Sequence, residues 1–218
     1  MKRFLVTATF VALGLGVLTA QSMQKPNDDP DMMHAGGGTL PAGWSARLDS
    51  GATKPDGVQI MPMGSGLHFK SGPAGIYYRS ADTKSGAYTV SATFMQMEMA
   101  SHPEAYGLFI GGSDLAGANQ KYTYFLVRQD GKYLIKKRAG TATPTVVNWT
   151  DSAAVKKADA AGKATNQLSI KVAGDKVSFL VNGTEVGSAP AADVDTSGIA
   201  GLRVNHNLSV HVDGFAIK

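Results

Sequence analysis

LSIKVAGDKVSFLV, residues 168–181, is the stretch that decides the fold. Leu168, Ile170 and Val172 alternate with Ser169 and Lys171, and beyond Gly174-Asp175 the apolar Val177, Phe179 and Val181 alternate with Ser178. Side chains of an extended strand point alternately to opposite faces, so each half has one apolar and one polar side. A two-residue Gly-Asp loop pins the pairing, placing Val172 opposite Val177, Ile170 opposite Phe179 and Leu168 opposite Val181. Asn182-Gly183 then makes another tight turn into Thr184-Glu185-Val186, which extends the hairpin into an antiparallel meander.

The pattern spreads outward from that hairpin. From Trp44 on, short stretches rich in Val, Ile, Tyr, Phe and Thr are separated by Gly, Asn and Asp, the mark of a sandwich or barrel. In YTVSATF, Val90, Ala92 and Phe94 face one way and Thr89, Ser91 and Thr93 the other. In LVRQDGKYLIKK, a two-residue Asp130-Gly131 turn sets Gln129 opposite Lys132, Arg128 opposite Tyr133, Val127 opposite Leu134, Leu126 opposite Ile135 and Tyr124 opposite Lys137. This register gathers Tyr122, Tyr124, Arg128, Tyr133 and Lys137 on one face and leaves Phe125, Val127 and Leu134 for the core. One segment, SAAVKKADAAG, reads as a short surface helix, with Ser152 as N-cap and Gly162 as stop. No repeat period appears, and no alternation of strands with long helices, so α/β folds are excluded.

The N-terminus has a different character. Lys2 and Arg3 precede an uncharged run from Phe4 to Leu18 that ends in small residues near Ala20, the layout of a secretory signal peptide over residues 1–20. That run is shorter than the roughly 20 residues needed to span a bilayer, and no other stretch is apolar enough, so no membrane span is expected after cleavage. Residues 21–41 are polar, carry Pro and end in glycines, which reads as a flexible linker; Asp28, Asp29, Asp31, Met32, Met33 and His34 are taken as part of a solvated tether. The folded domain is then residues 42–218. Two of the 21 basic residues lie in the leader, leaving 19 against 17 acidic ones, a balance that argues against nucleic acid as a partner. Cysteine is absent, which excludes disulfides, thiolate metal sites and a cysteine nucleophile. A disulfide-free exported chain fits a bacterial periplasmic or extracellular setting.

The order GLHFKSGPAGIYYRS, YTVSATF, HPEAYGLFIGG, YFLVRQDGKYLIKKR, LSIKVAGDKVSFLVNGTEV and GIAGLRVNHNLSVHVDGFAI resembles the concanavalin A-like jelly rolls. Within them it is most similar to bacterial exported domains of the laminin-G-like and 3-keto-disaccharide hydrolase-like groups. The resemblance implies an all-β antiparallel sandwich and, for function, a lectin, a glycosidase or an adhesion module, because that fold carries all three.

The chemistry-bearing residues leave those readings open. Laminarinase-type relatives carry a Glu-x-Asp-x-Glu strand, whereas this chain has only Glu98, Glu104 and Glu185 and no such motif. Glu98 and Glu104 are the nearest carboxylate pair, and His102 with Glu104 is the alternative acid/base pair, beside Tyr106. His206, in the turn before Leu208, joins His102, Glu104 and Tyr106 as a candidate ligand contact on loops. Tyr122, Tyr124, Arg128, Tyr133 and Lys137 make the main candidate ligand face, since sugars stack on aromatic rings and hydrogen-bond through polar groups. No cofactor is expected, although Asp114 and Asp193 to Asp195 are the loop acids available to calcium. The first reading is a carbohydrate-binding or cell-envelope glycan-recognition domain, more a binder than an enzyme. The second is a glycoside hydrolase of the 3-keto-disaccharide hydrolase type, and the third a structural envelope protein.

Overall fold

Alternation in the sequence becomes alternation in burial: along Ala164–Ala173, residues 164, 166, 168, 170 and 172 are buried while the residues between them reach solvent. The structure, a computed structural model, describes residues 34–35, 37–100 and 102–218. The strands are β1 (Ser45–Leu48), β2 (Val58–Met63), β3 (Gly66–Ser71), β4 (Gly75–Lys84), β5 (Tyr88–Gln96), β6 (Ala105–Ser113) and β7 (Lys121–Arg128). They continue with β8 (Lys132–Ala139), β9 (Thr145–Asp151), β10 (Ala164–Ala173), β11 (Lys176–Val181), β12 (Thr184–Pro190), β13 (Gly198–Val204) and β14 (Ser209–Ile217). They form two seven-stranded antiparallel sheets, ordered β1-β4-β13-β6-β7-β8-β9 and β12-β11-β10-β5-β14-β3-β2.

The sheets face each other across one apolar core, and aromatic pairs join them. Phe125 of β7 meets Phe179 of β11 at 5.4 Å between ring centroids, and Phe69 of β3 meets Tyr77 of β4 at 4.8 Å. Phe94 of β5 stacks on Tyr106 of β6 at 5.2 Å. The Tyr106 hydroxyl accepts a hydrogen bond from Asn166 Nδ2 at 3.3 Å. Burial pushes that phenol up to about 12, against the opposing pull of Asn166.

The hairpin at 168–181 has the register expected from its turn, with Leu168, Ile170 and Val172 opposite Val181, Phe179 and Val177. Gly174 takes φ +60° in the loop, as the first residue of a type II′ turn must. The 121–139 hairpin differs by one residue. Arg128 pairs with Lys132, Val127 with Tyr133, Leu126 with Leu134 and Phe125 with Ile135, so the loop is the three-residue Gln129-Asp130-Gly131. The Gly131 amide donates to Arg128 O at 3.1 Å and Gly131 sits at φ +89°, the type I turn plus bulge that a three-residue hairpin uses.

Two further expectations change. SAAVKKADAAG is not a helix; it is a pair of turns closed by Val155 N to Ser152 O and Gly162 N to Asp159 O, with Asn166 Oδ1 accepting from the Lys156 amide. The helical structure among the described residues is a single 3-10 turn at Ala191–Asp193. The described end of the expected linker is not a free tether: His34 N donates to Gly57 O, Gly38 N donates to Val58 O, and Gln59 Nε2 donates to Ala35 O. The signal peptide and the rest of the linker lie outside the described residues. No helix among the described residues is long and apolar enough to cross a membrane.

Candidate functional site

The one-residue register difference decides which side chains share the outward face of the first sheet. Residues opposite one another in an antiparallel pair point the same way, so Tyr122 travels with Arg138, Tyr124 with Lys136, Leu126 with Leu134 and Arg128 with Lys132. On β6, β13 and β4 the same face carries Phe109, Arg203, Ile76 and Tyr78. Four rings run in sequence across it: Tyr78 to Phe109 at 6.4 Å, Phe109 to Tyr122 at 5.2 Å and Tyr122 to Tyr124 at 5.6 Å. Gly201 makes room for them, because a Cβ there would lie 2.6 Å from Phe109 Cε1.

This outward face is a second apolar cluster, with Leu115 of the 114–120 loop packed into it. Arg47 holds that loop through hydrogen bonds from Nη1 to the carbonyls of Leu115 and Gly117. At the centre, Arg203 forms a bidentate pair with Asp49, Nη1 to Oδ1 at 2.9 Å and Nη2 to Oδ2 at 2.7 Å. The Arg203 guanidinium lies 5.3 Å from the centroid of the Tyr124 ring, and its Nη1 is 3.5 Å from the Tyr122 hydroxyl. Burial pushes the Asp49 carboxyl up, yet the hydrogen bonds and charge of Arg203 outweigh it and hold Asp49 below its ordinary value. Burial likewise opposes the charge of Arg203, and the hydrogen bonds it donates to Asp49 reverse that, so the guanidinium stays protonated. Toward β9, Arg128 lies over the Trp149 ring at 4.4 Å and forks onto Asp130 at 2.7 and 2.8 Å.

Asp49 also lines a cavity of about 410 Å³ with Leu48, Ser50, Asp56, Pro73 and His206. This cavity sits at the end of the sandwich that carries the 49–57, 72–74 and 205–208 loops. The 205–208 loop is tied to the start of β6 by Asn205 N donating to Ala105 O at 3.0 Å, which brings His206 to the same end as His102 and Glu104. The aromatic row itself is covered, with Phe109, Tyr122, Tyr78 and Tyr124 at 0%, 1%, 6% and 6% exposure, so the open surface at this end is the Asp49–His206 cavity.

The expected site residues sort accordingly. Tyr122, Tyr124 and Arg128 share the outward side of the sheet, but Tyr122 and Tyr124 are buried within the second apolar cluster rather than open to a ligand, and of the three Arg128 alone is partly exposed. Tyr133 is not on that side: it points into the core, edge-on to Phe125 at 6.3 Å, and Leu134 takes the outward place expected of it. Lys137 pairs with Thr123 on the inward side and reaches Asp193 O at 3.0 Å from the edge. Tyr106 is sealed in the core, so it is not beside His102 and Glu104 as a ligand contact. Glu98 lies 3.8 Å from Lys70 of the second sheet, away from the tyrosine row. Among the described residues no hydrogen bond joins the His102 and Glu104 side chains. Asp114 accepts from the Asn119 amide within its own loop, whereas Lys137 reaches Asp195, so these acids do not converge. No grouping of three or more His, Cys, Asp or Glu suited to a metal is found among the described residues.

No protein-family model and no curated protein matches the sequence. Solved structures do. The chain is similar to the carbohydrate-binding module CBM66 from Bacillus subtilis, at 14% identity and TM-score 0.58 over 81% of this chain and 95% of that one. It is similar to a Bacillus subtilis protein of unknown function with a galectin-like fold, at 13% identity and TM-score 0.55 over 80% and 88%. A family 7 alginate lyase, A1-II′, aligns at 11% identity and TM-score 0.51 over 81% and 94%. The fold is the concanavalin A-like jelly roll.

Sequence reading missed Arg203, Asp49, Arg138 and Trp149. Arg203 had a local signal, a lone cation between Leu202 and Val204 in an otherwise apolar strand. Asp49 had none, because the partner that gives it meaning is 154 residues away.

Proposed function

We propose that this protein is a glycan-binding module whose ligand lies on the outward face of the β1-β4-β13-β6-β7-β8-β9 sheet. The observation that carries the reading is the Asp49–His206 cavity, whose Asp49 wall is fixed by the bidentate pair with Arg203 above a buried row of aromatic rings. Aromatic rings stack on the C–H patches of sugars, a part open to the half-buried Trp149, and the solvent-reaching Asp49 carboxylate, fixed by Arg203, offers acceptors in set directions to hydroxyls. The similarity in fold to a carbohydrate-binding module and an alginate lyase supports the reading. Arg47, Lys136 and Arg138 rim the face, so acidic sugars are favoured over neutral ones.

Calorimetry against a panel of acidic and neutral polysaccharides tests this. Trp149→Ala and Arg138→Ala are expected to weaken binding about tenfold each, a loss of about 1.4 kcal/mol, without lowering thermal stability by more than a few degrees. Failure of every polysaccharide to bind, or affinities unmoved by both substitutions, overturns the proposal.

We also propose that the protein is exported and meets a cell-envelope glycan, on the strength of Lys2, Arg3 and the apolar run that follows. The mature protein is then expected outside the cytoplasm with a mass lacking the first 20 or so residues. Recovery of the chain in the cytoplasm with its N-terminus intact overturns it.

A further inference from the structure

The outward face of the other sheet holds a different set of donors. Register places Met61 opposite His68, His68 opposite His211 and His211 opposite Met95, so thioether, imidazole, imidazole and thioether stand in one row across β2, β3, β14 and β5. Met63 pairs with Gly66 on the same face. The His211 ring leans over that glycine: a Cβ there would lie 2.9 Å from His211 Cε1 and 3.1 Å from its Nε2. Met63 therefore stands, on the same face, across from the glycine over which the His211 ring leans. Adjacent cross-strand positions have Cβ atoms about 4.5–5.5 Å apart, within the span of two side chains closing on one ion.

Each of these residues is unusual for its place. Both histidines are buried, at 8% and 9% exposure, although they face outward, and Nδ1 of each takes no hydrogen bond. Met61 and Met63 are exposed at 42% and 48%, where a packing role would have buried them.

From this juxtaposition we infer a binding site for a soft monovalent cation, Cu(I), formed by His68, His211 and the thioethers of Met61 and Met63. Thioether and imidazole donors without thiolate suit a soft ion, whereas Ca²⁺ and Mg²⁺ require oxygen donors. Met61 and Met95 are three strands apart, roughly 14 Å, so Met95 flanks the site and the β2 methionines, on an edge strand, complete it. No electron transfer is involved; the ion binds in the oxidation state in which it arrives.

The test uses silver(I), a closed-shell stand-in that needs no reductant, titrated into the full chain in chloride-free buffer by calorimetry, with Cu(I) under reducing conditions as the second probe. One ion per chain is expected. His211→Gln is expected to weaken binding on the order of a hundredfold, and Met61→Leu with Met63→Leu on the order of tenfold, with circular dichroism unchanged. The two leucine substitutions sit on exposed positions, so their effect is readable even if His211→Gln perturbs folding. Affinity and stoichiometry unchanged in the leucine variant, or binding abolished instead by Met32→Leu with Met33→Leu, overturns the inference.

Discussion

Phe179→Ala is expected to destabilise the protein by about 3–5 kcal/mol, the cost of removing a large aromatic side chain and leaving a cavity that the core closes only in part. Phe179 is fully buried, pairs with Ile170 across the β10–β11 hairpin and meets Phe125 of the opposite sheet at 5.4 Å. It thus joins the two sheets at the level where β7 begins to carry the tyrosine row on its other side. Interiors are packed to crystal-like density, so the neighbours relax only slightly. Ser178→Ala, one residue away on the outward side, is expected to shift stability by no more than about 0.5 kcal/mol. Urea midpoints at constant slope measure both. Equal, small shifts would mean that Phe179 is not at the sheet interface and that the register of the hairpin is wrong.

Legibility depended on the turns. At 168–181 the loop has two residues, and turn chemistry and alternation specify the same pairing. At 121–139, Asp-Gly serves equally as a two-residue loop and as the end of a three-residue loop, and both keep the strands antiparallel. Because side chains alternate with period two, that single residue exchanges Tyr133 and Leu134 between the inward core and the apolar cluster on the outward side. The helix expected at 152–162 failed for a related reason. Its alanines and lysines favour helix locally, but the segment is committed to tertiary hydrogen bonds instead, from Asn182 Nδ2 to Ala154 O and from the Ala158 amide to Gln129 O. Half of the candidate face, Tyr122, Tyr124 and Arg128, was readable from alternation alone. Its charged centre was not, since the Arg203–Asp49 pair exists only after β13 and the 49–57 loop have been brought together by the fold.

Asp49→Ala is the other change with a large expected effect, because it strands the Arg203 guanidinium. Arg203 has a side chain 9% exposed and would lose both of its short charge-assisted bonds, keeping the face of Tyr124 and a 3.5 Å approach to the Tyr122 hydroxyl. Breaking a buried pair by deleting one partner costs about 3–5 kcal/mol. The Asp49 side chain is 37% exposed, so water reaches the vacated position and the loss is expected at about 2–3 kcal/mol. Adding Arg203→Met to Asp49→Ala should recover much of it, since an apolar side chain in an apolar cluster leaves no uncompensated charge. The pH dependence follows from the direction of the Asp49 shift. Its folded value is depressed, so the stabilisation is present above the unfolded carboxylate value near 3.9 and disappears as the pH falls through the lower folded value. Urea unfolding at pH 7 should therefore separate wild type from Asp49→Ala clearly, and the gap should narrow below about pH 4. A variant with the wild-type midpoint at pH 7 would show that Arg203 is solvated rather than clamped, and the ligand face would lose the rigid centre on which its proposed recognition of sugars depends.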